Sequence, residues 1–225
     1  MSRNHSLIKK VVAKIWHYLS FGRRRAAASE LYILTSSFGY YDDTASMRWP
    51  CTVSCPRKMF MYENTNINEG AKFIISPYGN EGKFIMKKNS GSAANLVVIT
   101  GNHQRKVGTL FKTSSVTHDG DIDKDVIIEE DVWIAANVTI LAGVVVGRGA
   151  TIGAGAVCIK SVPPYAIAMG NPAKVVGFNF TPEEAIEHEK ALYPEEDRLP
   201  QELLEKNYNK YFLERITEIK KFNRI

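Results

Sequence analysis

The residues that offer chemistry most directly are Asn102 and His103, which follow Gly101 after the apolar run VVIT. A histidine side chain ordinarily titrates near pH 6.5, so it takes up and releases protons at neutral pH, and a positioned general base contributes on the order of 10²–10⁴-fold to a rate. The polar segment that follows, 104–121, has the length of a loop that is more often functional than idle. We therefore predict that His103 is a general base, with His118 as the alternative.

The three cysteines offer less. Cys51, Cys55 and Cys158 are too few for a disulfide framework and fit a reducing compartment. Cys51 and Cys55 are not followed by a second Cys or His pair at zinc spacing, so no metal site is expected. No cysteine or serine adjoins His103 as an obvious nucleophile, which argues against a covalent enzyme intermediate.

The elements that must position His103 repeat every six residues from 122 to 163. An apolar residue opens each hexad: Ile122, Ile128, Ile134, Ile140, Val146, Ile152 and Cys158. A small or branched residue takes each fifth place: Val126, Val132, Val138, Val144, Ala150, Ala156 and Val162. This period fits neither a helix nor a simple strand; it is typical of a parallel β-helix in which three hexads form one triangular coil. Both sets should point inward, and Cys158 should be buried.

Upstream, the same period is weaker. Between 66 and 100 the step of six runs through Ile67, Phe73, Ile85 and Val97, while Gly79 and Gly91 break it. We expect these residues to form earlier, less regular coils. Residues 30–62 contain two short β-like pieces, LYILTSSF and RKMFMY, and are predicted to lead into the solenoid and cover its exposed end.

Three parts are expected along the chain: a basic amphipathic helix over 1–29, a β-helix domain over 30–178 with an excursion loop at 104–121, and a helical extension over 179–225. In the extension, Thr181 reads as a helix N-cap before Pro182, with a short helix to about Leu192. A longer helix is predicted from about Pro200 to Phe222.

Charge is concentrated at the N-terminus. The net charge is +5, but residues 1–25 hold seven lysines and arginines and no acid, leaving 22 basic against 24 acidic residues elsewhere. A nucleic-acid-binding body is therefore not expected. The apolar face within 5–20 predicts either a helix docked on the body or on a neighbouring subunit, or a helix lying on anionic lipid. No apolar run is long enough to span a membrane.

Several motifs resemble those of the hexapeptide-repeat acyltransferases. They are the hexads, Trp-Ile-Ala-Ala at 133–136, Ile-Gly-Ala-Gly-Ala at 152–156 and Gly-Asn-Pro-Ala-Lys at 170–174. Asn-His at 102–103 before a long loop resembles the branch of sugar O-acetyltransferases and xenobiotic acetyltransferases. The resemblance covers roughly 60–178. It implies an all-β fold, a left-handed parallel β-helix, assembled as a homotrimer with active sites between subunits and acetyl-CoA as acyl donor.

The resemblance also implies roles for single residues. His103 matches the base that takes the proton of the acceptor hydroxyl, Asn102 is a candidate to orient the histidine or the acceptor, and Trp133 matches an aromatic beside the site. The CoA contacts match Ala136, Ala154, Ile159, Lys160 and Lys174. Gly177 stands where some relatives carry a second basic residue, which weakens the expected phosphate binding. The Asn171–Pro172 bond is a candidate cis peptide.

The function expected from this resemblance is acetyl-CoA-dependent O-acetylation of a saccharide, as in the synthesis of a cell-envelope or capsule polysaccharide. A cytoplasmic location, with peripheral contact to the inner face of the membrane, is expected. Three alternatives stay open: a xenobiotic acetyltransferase, a zinc hydrolase of the γ-carbonic-anhydrase type, and a non-catalytic β-helix scaffold. The hydrolase needs three histidine ligands, whereas only His103 and His118 lie near the coils. A scaffold would need neither the Asn-His pair nor Lys174.

Overall fold

The computed structural model describes residues 15, 30–31, 34–114 and 123–223. The helix predicted over 1–29 lies outside this range except for residue 15, and so does His118. In the described part, short strands alternate with tight turns from Tyr40 onward. Strands β1 to β17 are, in order, Tyr40–Tyr41, Ser46–Met47, Thr52–Val53, Met59–Met61, Asn66–Ile67, Lys72–Ile74, Phe84–Met86, Gly91–Ser92, Val97–Ile99, Val126–Ile128, Trp133–Ile134, Thr139–Ile140, Val145–Val146, Thr151–Ile152, Val157–Cys158, Ala166–Met169 and Lys174–Phe178.

These strands form three parallel sheets. Sheet A contains β1, β4, β7, β10 and β13; sheet B contains β2, β5, β8, β11, β14, β16 and β17; sheet C contains β3, β6, β9, β12 and β15. Successive strands pass from A to B to C and back to A, so each coil adds one strand to every sheet. Among the described strands, only β16 and β17 pair antiparallel, where the solenoid ends. This pairing, with its hexapeptide period, matches a left-handed β-helix.

The core is the column of side chains that the hexads turn inward. Ile128, Ile134, Ile140, Val146, Ile152 and Cys158 are fully buried, and so are Val126, Val138, Ala150 and Ala156. Each coil is hydrogen-bonded to the next, as in the bond from the Trp133 amide to the Ala150 carbonyl at 3.0 Å. The prediction of inward-facing hexads is confirmed for the described residues.

The register predicted for the earlier coils is wrong at two positions. Ile85 pairs with Phe60 on the outer face of sheet A, and Val97 lies on the outer face of sheet C. The buried residues are their neighbours, among them Met86 and Val98. The segment between Ile74 and Phe84 is an insertion that is not a multiple of six, so the period restarts one residue out of phase, and a one-residue shift exchanges the faces of a strand.

All long insertions leave the solenoid at the edge where sheet C meets sheet A, which we call the CA edge. They lie between β3 and β4, where a 3-10 helix spans Pro56–Lys58, between β6 and β7, and between β9 and β10. The last contains the short helix α1, Phe111–Ser114. Side chains tie the insertions together: the Ser54 hydroxyl donates to the Ile75 carbonyl at 2.8 Å, and the Ser76 hydroxyl donates to Asp123.

Residues before the first coil are helical where described, so the prediction of a β-like piece over LYILTSSF is wrong. Residues 30–31 and 34–35 are helical, and the Thr35 hydroxyl donates to the Leu31 carbonyl at 2.9 Å. Leu31 and Leu34, three residues apart, both pack against the core cluster. That spacing places both on one helical face, which is how they bury together. The second piece, RKMFMY, does contain a strand, β4.

The C-terminal helices fold back on the solenoid. Helix α2, Pro182–Leu192, begins with the predicted cap, in which Thr181 and Glu184 form a reciprocal capping box. After a 3-10 turn at Glu195–Asp197 come α3, Gln201–Tyr211, a second 3-10 turn at Leu213–Arg215, and α4, Ile216–Asn223. The prediction of one helix from Pro200 to Phe222 is wrong. Phe212 breaks it with φ −121° and ψ −64°, where its ring packs against that of Phe178 on β17, with centroids 6.4 Å apart.

Helix α2 covers the edge between sheets A and B, the AB edge. Arg148, in the turn of this edge, bonds the buried carboxylate of Glu189 at 2.8 Å. The Tyr165 hydroxyl donates to the same carboxylate at 2.5 Å, and the Leu199 amide donates at 3.0 Å. Burial and the hydrogen bond to Glu189 raise the pKa of Tyr165. This edge is therefore occupied by a structural contact.

Candidate active site

Asn102 lines a groove on the CA edge, and His103 is the next residue in the chain. The groove has a volume of about 430 Å³ and is lined by Ile99, Gly101, Asn102, Lys124, Leu141, Ala142 and Ile159. The His103 amide donates to the Asn102 side-chain oxygen at 2.8 Å, which fixes the local turn. The His103 ring is exposed and meets Phe111 of α1 edge-on, with centroids 5.7 Å apart. The Arg105 guanidinium lies over the same Phe111 ring, 4.8 Å from its centroid.

Lys124 is a groove residue that sequence reasoning missed. Its amide donates to the Thr100 carbonyl at 2.9 Å, so the chain re-enters the solenoid beside the point where it left. The Lys124 stem lies against Gly143, where an added Cβ would stand 3.0 Å from the Lys124 Cδ. Gly143 also has φ +81°, which favours glycine. The only signal in the sequence was its position: Lys124 lies two residues before Val126, the first described buried residue after the excursion.

Ile159 and Lys160 lie in the last turn of the same CA edge, one coil after Leu141 and Ala142. Ile159 follows the last strand of sheet C, is 48% exposed, and forms part of the groove wall. Lys160 is exposed in the same turn. Four of the predicted site residues, Asn102, His103, Ile159 and Lys160, therefore share one edge of the solenoid.

The two small residues predicted to contact CoA, Ala136 and Ala154, lie on the opposite edge of sheet C, where sheet B meets sheet C. We call this the BC edge. Ala136 and Ala154 occupy equivalent turns of successive coils, and the Gly155 amide donates to the Ala136 carbonyl at 2.9 Å. The column of turns continues toward the C-terminal end of the solenoid, where the Val157 amide donates to the Gly170 carbonyl at 3.0 Å. Small side chains along this edge leave the backbone open to close approach by a long, narrow ligand.

Lys174 lies above this column, on β17. Its ammonium forms an ion pair with Glu218 of α4 at 3.2 Å. Gly177, farther along the strand, brings no charge. The predicted cis bond between Asn171 and Pro172 is confirmed. Lys174 thus belongs with Ala136 and Ala154 and not with the CA groove.

Trp133 projects from the outer face of sheet B. It pairs with Gly91 on one side and Thr151 on the other, and it is 48% exposed. The space beside Gly91 is taken by the Asn66 side chain, whose oxygen would lie 2.5 Å from a Cβ at position 91. Trp133 comes three residues before Ala136 and so leads toward the BC edge, away from His103 of the same chain.

The structure therefore divides the predicted residues into two groups, one on each edge of sheet C, and does not bring them together within one chain. Their roles stay predictions. Cys158 lies inside the solenoid, where burial raises the pKa of its thiol to about 11, so the thiol stays protonated at neutral pH and is a poor nucleophile. Across 34–114 and 123–223, no three His, Cys, Asp or Glu side chains are close enough to share a metal ion. In the same residues, no helix has the length and apolar character of a membrane span.

Comparison with known proteins supports the repeat and the fold. The family model of the bacterial transferase hexapeptide, six repeats long, matches residues 125–160. None of the curated proteins compared matches the chain significantly.

Solved structures share the architecture. An acetyl-CoA complex of a hexapeptide-repeat acetyltransferase from Vibrio cholerae O1 biovar eltor is 20% identical, with a TM-score of 0.56 over 68% of this chain and 78% of the other. A maltose O-acetyltransferase from Clostridium difficile 630 is 25% identical, with a TM-score of 0.55 over 65% and 72%. A galactoside acetyltransferase in complex with coenzyme A is 18% identical, with a TM-score of 0.56 over 75% and 76%. The chain thus carries the hexapeptide repeat of bacterial transferases on the fold of the hexapeptide-repeat acetyltransferases.

Proposed function

We propose that this protein is an acetyl-CoA-dependent O-acetyltransferase with a saccharide acceptor, and that it serves the synthesis of a cell-envelope or capsule polysaccharide. The observation that carries the proposal is that Asn102 lines the CA groove, a cleft large enough for a sugar ring, and that His103 is the next residue in the chain. The structural similarity to maltose and galactoside acetyltransferases supports the same class of acceptor.

His103 acts as the base. An alcohol is a poor nucleophile, so its proton must leave as its oxygen attacks the thioester carbonyl. The neutral imidazole accepts that proton, the new ester bond forms, and the C–S bond breaks. The resulting imidazolium returns a proton to the departing CoA thiolate. A base held within about 3 Å of the hydroxyl supplies this help, on the order of 10²–10⁴-fold in rate.

The acyl donor is held on the BC edge. Pantetheine is a long, flexible chain with amide groups, and the open backbone along Ala136 and Ala154 suits it. Because His103 lies on the CA edge, we propose that one active site consists of the CA edge of one subunit and the BC edge of its neighbour in a homotrimer. Ile159 and Lys160 then approach the donor from the subunit that contributes His103.

We further propose a cytoplasmic location with the basic segment 1–25 in contact with the inner face of the membrane. Seven cations and no acid in this segment favour anionic lipid, at about 1 kcal/mol for each residue near the surface. The protein should pellet with phosphatidylserine vesicles at low salt and be released at high salt, while a variant lacking 1–25 should stay in solution with unchanged turnover. If the truncated protein does not fold, the segment is instead docked on the body.

The function is tested by acceptor screening. Purified full-length protein is incubated with radiolabelled acetyl-CoA and separate panels of neutral sugars, nucleotide-linked sugars, amino sugars, and streptogramin and chloramphenicol antibiotics. We expect acetyl transfer to a sugar hydroxyl, located by mass spectrometry and NMR. Transfer only to an antibiotic would replace the saccharide proposal with the xenobiotic alternative. Failure to transfer to any acceptor, with no CoA binding, would favour the non-catalytic scaffold.

A further inference from the structure

A second cavity lies at the C-terminal end of the BC edge. It has a volume of about 270 Å³ and lies between the β16–β17 turn and helix α4. Its walls are formed by Met169, Gly170, Asn171, Pro172, Lys174, Val175, Val176, Arg215, Glu218, Ile219 and Phe222. The cavity continues the column of Ala136 and Ala154, and half of it is built by a helix outside the solenoid.

Two cations in this cavity share one carboxylate. The Lys174 ammonium lies 3.2 Å from one oxygen of Glu218, and the Arg215 Nε lies 3.1 Å from the other. Hydrogen bonds from Arg215 and then Lys174 lower the pKa of Glu218, so the carboxylate is ionised at neutral pH. An anion thus already lies between two cations, in the arrangement that a phosphate would adopt.

The Arg215 guanidinium is fixed on one side by backbone carbonyls. Its Nη1 donates to the Val175 carbonyl at 3.3 Å and to the Tyr211 carbonyl at 3.5 Å. No acceptor among the described residues engages its Nη2, and the guanidinium is partly exposed. An arginine fixed on one side with donors open on the other is preorganised for an anion, because less side-chain freedom is lost on binding.

The remaining walls suit a heterocycle. Ile219 is almost fully buried and closes the floor, while the Phe222 ring is 57% exposed at the rim. Cations beside an exposed aromatic ring favour a phosphate attached to a flat base over a bare phosphate ion.

We propose that this cavity binds the phosphate of a nucleotide, with Lys174 and Arg215 as its two cations and Glu218 as an internal anion that the phosphate displaces. The inference rests on the proposed use of acetyl-CoA. Gly177 leaves Lys174 without a second cation on its own strand, and Arg215 of the helical extension supplies one. The phosphate belongs either to the 3′-phosphoadenosine end of CoA or to the diphosphate of a nucleotide-linked sugar.

The test measures binding, not turnover. Calorimetry on the full-length protein uses three probes: CoA, 3′-dephospho-CoA and UDP. Three variants are compared with the wild type: Arg215→Gln, Glu218→Gln and, as a matched control, Lys220→Gln. Lys220 is an exposed cation on the same helix but does not line the cavity. Thermal melting of each variant checks that the fold is intact.

Charge-assisted hydrogen bonds predict opposite effects for the two cavity variants. Arg215→Gln should weaken CoA binding by roughly tenfold, and Glu218→Gln should tighten it by roughly threefold, because the competing anion is gone. Lys220→Gln should change it less than about twofold. If these effects vanish with 3′-dephospho-CoA, the phosphate is that of CoA. If they occur with UDP and not with CoA, it is that of the acceptor nucleotide.

Two results would overturn the inference. One is that neither Arg215→Gln nor Glu218→Gln changes the affinity for any probe. The other is that Glu218→Gln weakens binding, which would mean that Glu218 positions Lys174 and does not compete with the phosphate. Because Glu218 is exposed, its variant should fold even if Arg215→Gln does not. Absence of acetyl transfer with an intact binding response would leave the cavity standing and remove only the proposed function.

Discussion

The two edges of sheet C differ in construction. The BC edge is a regular column of tight turns with small residues, in which Ala136 and Ala154 repeat at a fixed step. The CA edge carries every long insertion, and with them Asn102, His103 and Lys124. The regular edge offers a uniform track for an acyl carrier, and the irregular edge offers side chains for chemistry. Neither edge alone holds both, so the difference indicates that a working site requires two chains.

The third edge shows what a purely structural edge looks like. At the AB edge, Arg148 is engaged by Glu189 at 2.8 Å and lies 3.9 Å from the Tyr193 ring centroid, beneath helix α2. Burial raises the pKa of Tyr193 to about 12, so its hydroxyl stays neutral. Arg148, Tyr165 and Glu189 are used there in holding the C-terminal helices, so we expect ligands at the other two edges.

The largest expected effect comes from removing the base on the CA edge. His103→Ala should lower kcat by on the order of 10²–10⁴-fold, because no side chain then accepts the proton of the acceptor hydroxyl. Acetyl-CoA affinity should hold, because the donor is bound on the other edge. Steady-state kinetics and calorimetry separate the two quantities, with the exposed neighbour Gln104→Ala as control. Near-normal turnover in His103→Ala would show that another group, such as His118, is the base.

Blocking the regular edge should damage donor use instead. Ala154 is exposed in its turn, so Ala154→Trp should fold, but the indole would cover the proposed pantetheine track. We expect kcat/KM for acetyl-CoA to fall on the order of 10²-fold through displacement of the thioester. Asp43→Trp, at an exposed turn of the AB edge, is the control. An unchanged kcat/KM for acetyl-CoA in Ala154→Trp would remove the BC edge from the site.

The structural edge should affect stability and not catalysis. Glu189→Gln breaks the buried ion pair with Arg148 and should lower the free energy of unfolding by about 3 kcal/mol, at the low end for such pairs, because Glu130 still lies 3.4 Å from Arg148. Thermal melting at fixed protein concentration should show the loss, whereas Glu187→Gln, exposed on the same helix, should not. If Glu189→Gln lowered kcat in assays run well below its melting temperature, this edge would have a part in the reaction.

Much of the fold could be predicted because one pattern determines it. The hexads from 128 to 158 repeat without interruption, so the inward direction of Ile134 or Cys158 follows from counting. At Ile85 and Val97 the same counting predicted the wrong face of the strand. The insertion after Ile74 shifts the hexad register by one residue, and no local residue marks that shift. The break at Phe212 could not be predicted either, because the residue packs against Phe178, which only the fold brings close.

For the site, sequence identified residue types but not their division between edges. His103 and Ala154 are separated by a whole sheet, a fact that becomes visible only when turns are assigned to edges. Lys124 was missed because a lysine beside a long loop looks like any solvated charge. Arg215 was missed because its helix lies outside the repeat, and only folding brings it to Lys174.

The most direct test of the shared site is complementation between chains. His103→Ala and Ala154→Trp, each inactive as a homotrimer, are co-expressed with different tags, and trimers containing both chains are purified. In any such trimer, one of the three interfaces joins an intact CA edge to an intact BC edge. The account predicts that mixed trimers recover about one third of wild-type activity under the same conditions. Mixed trimers no more active than the two variants alone would contradict it and place the whole site within one chain.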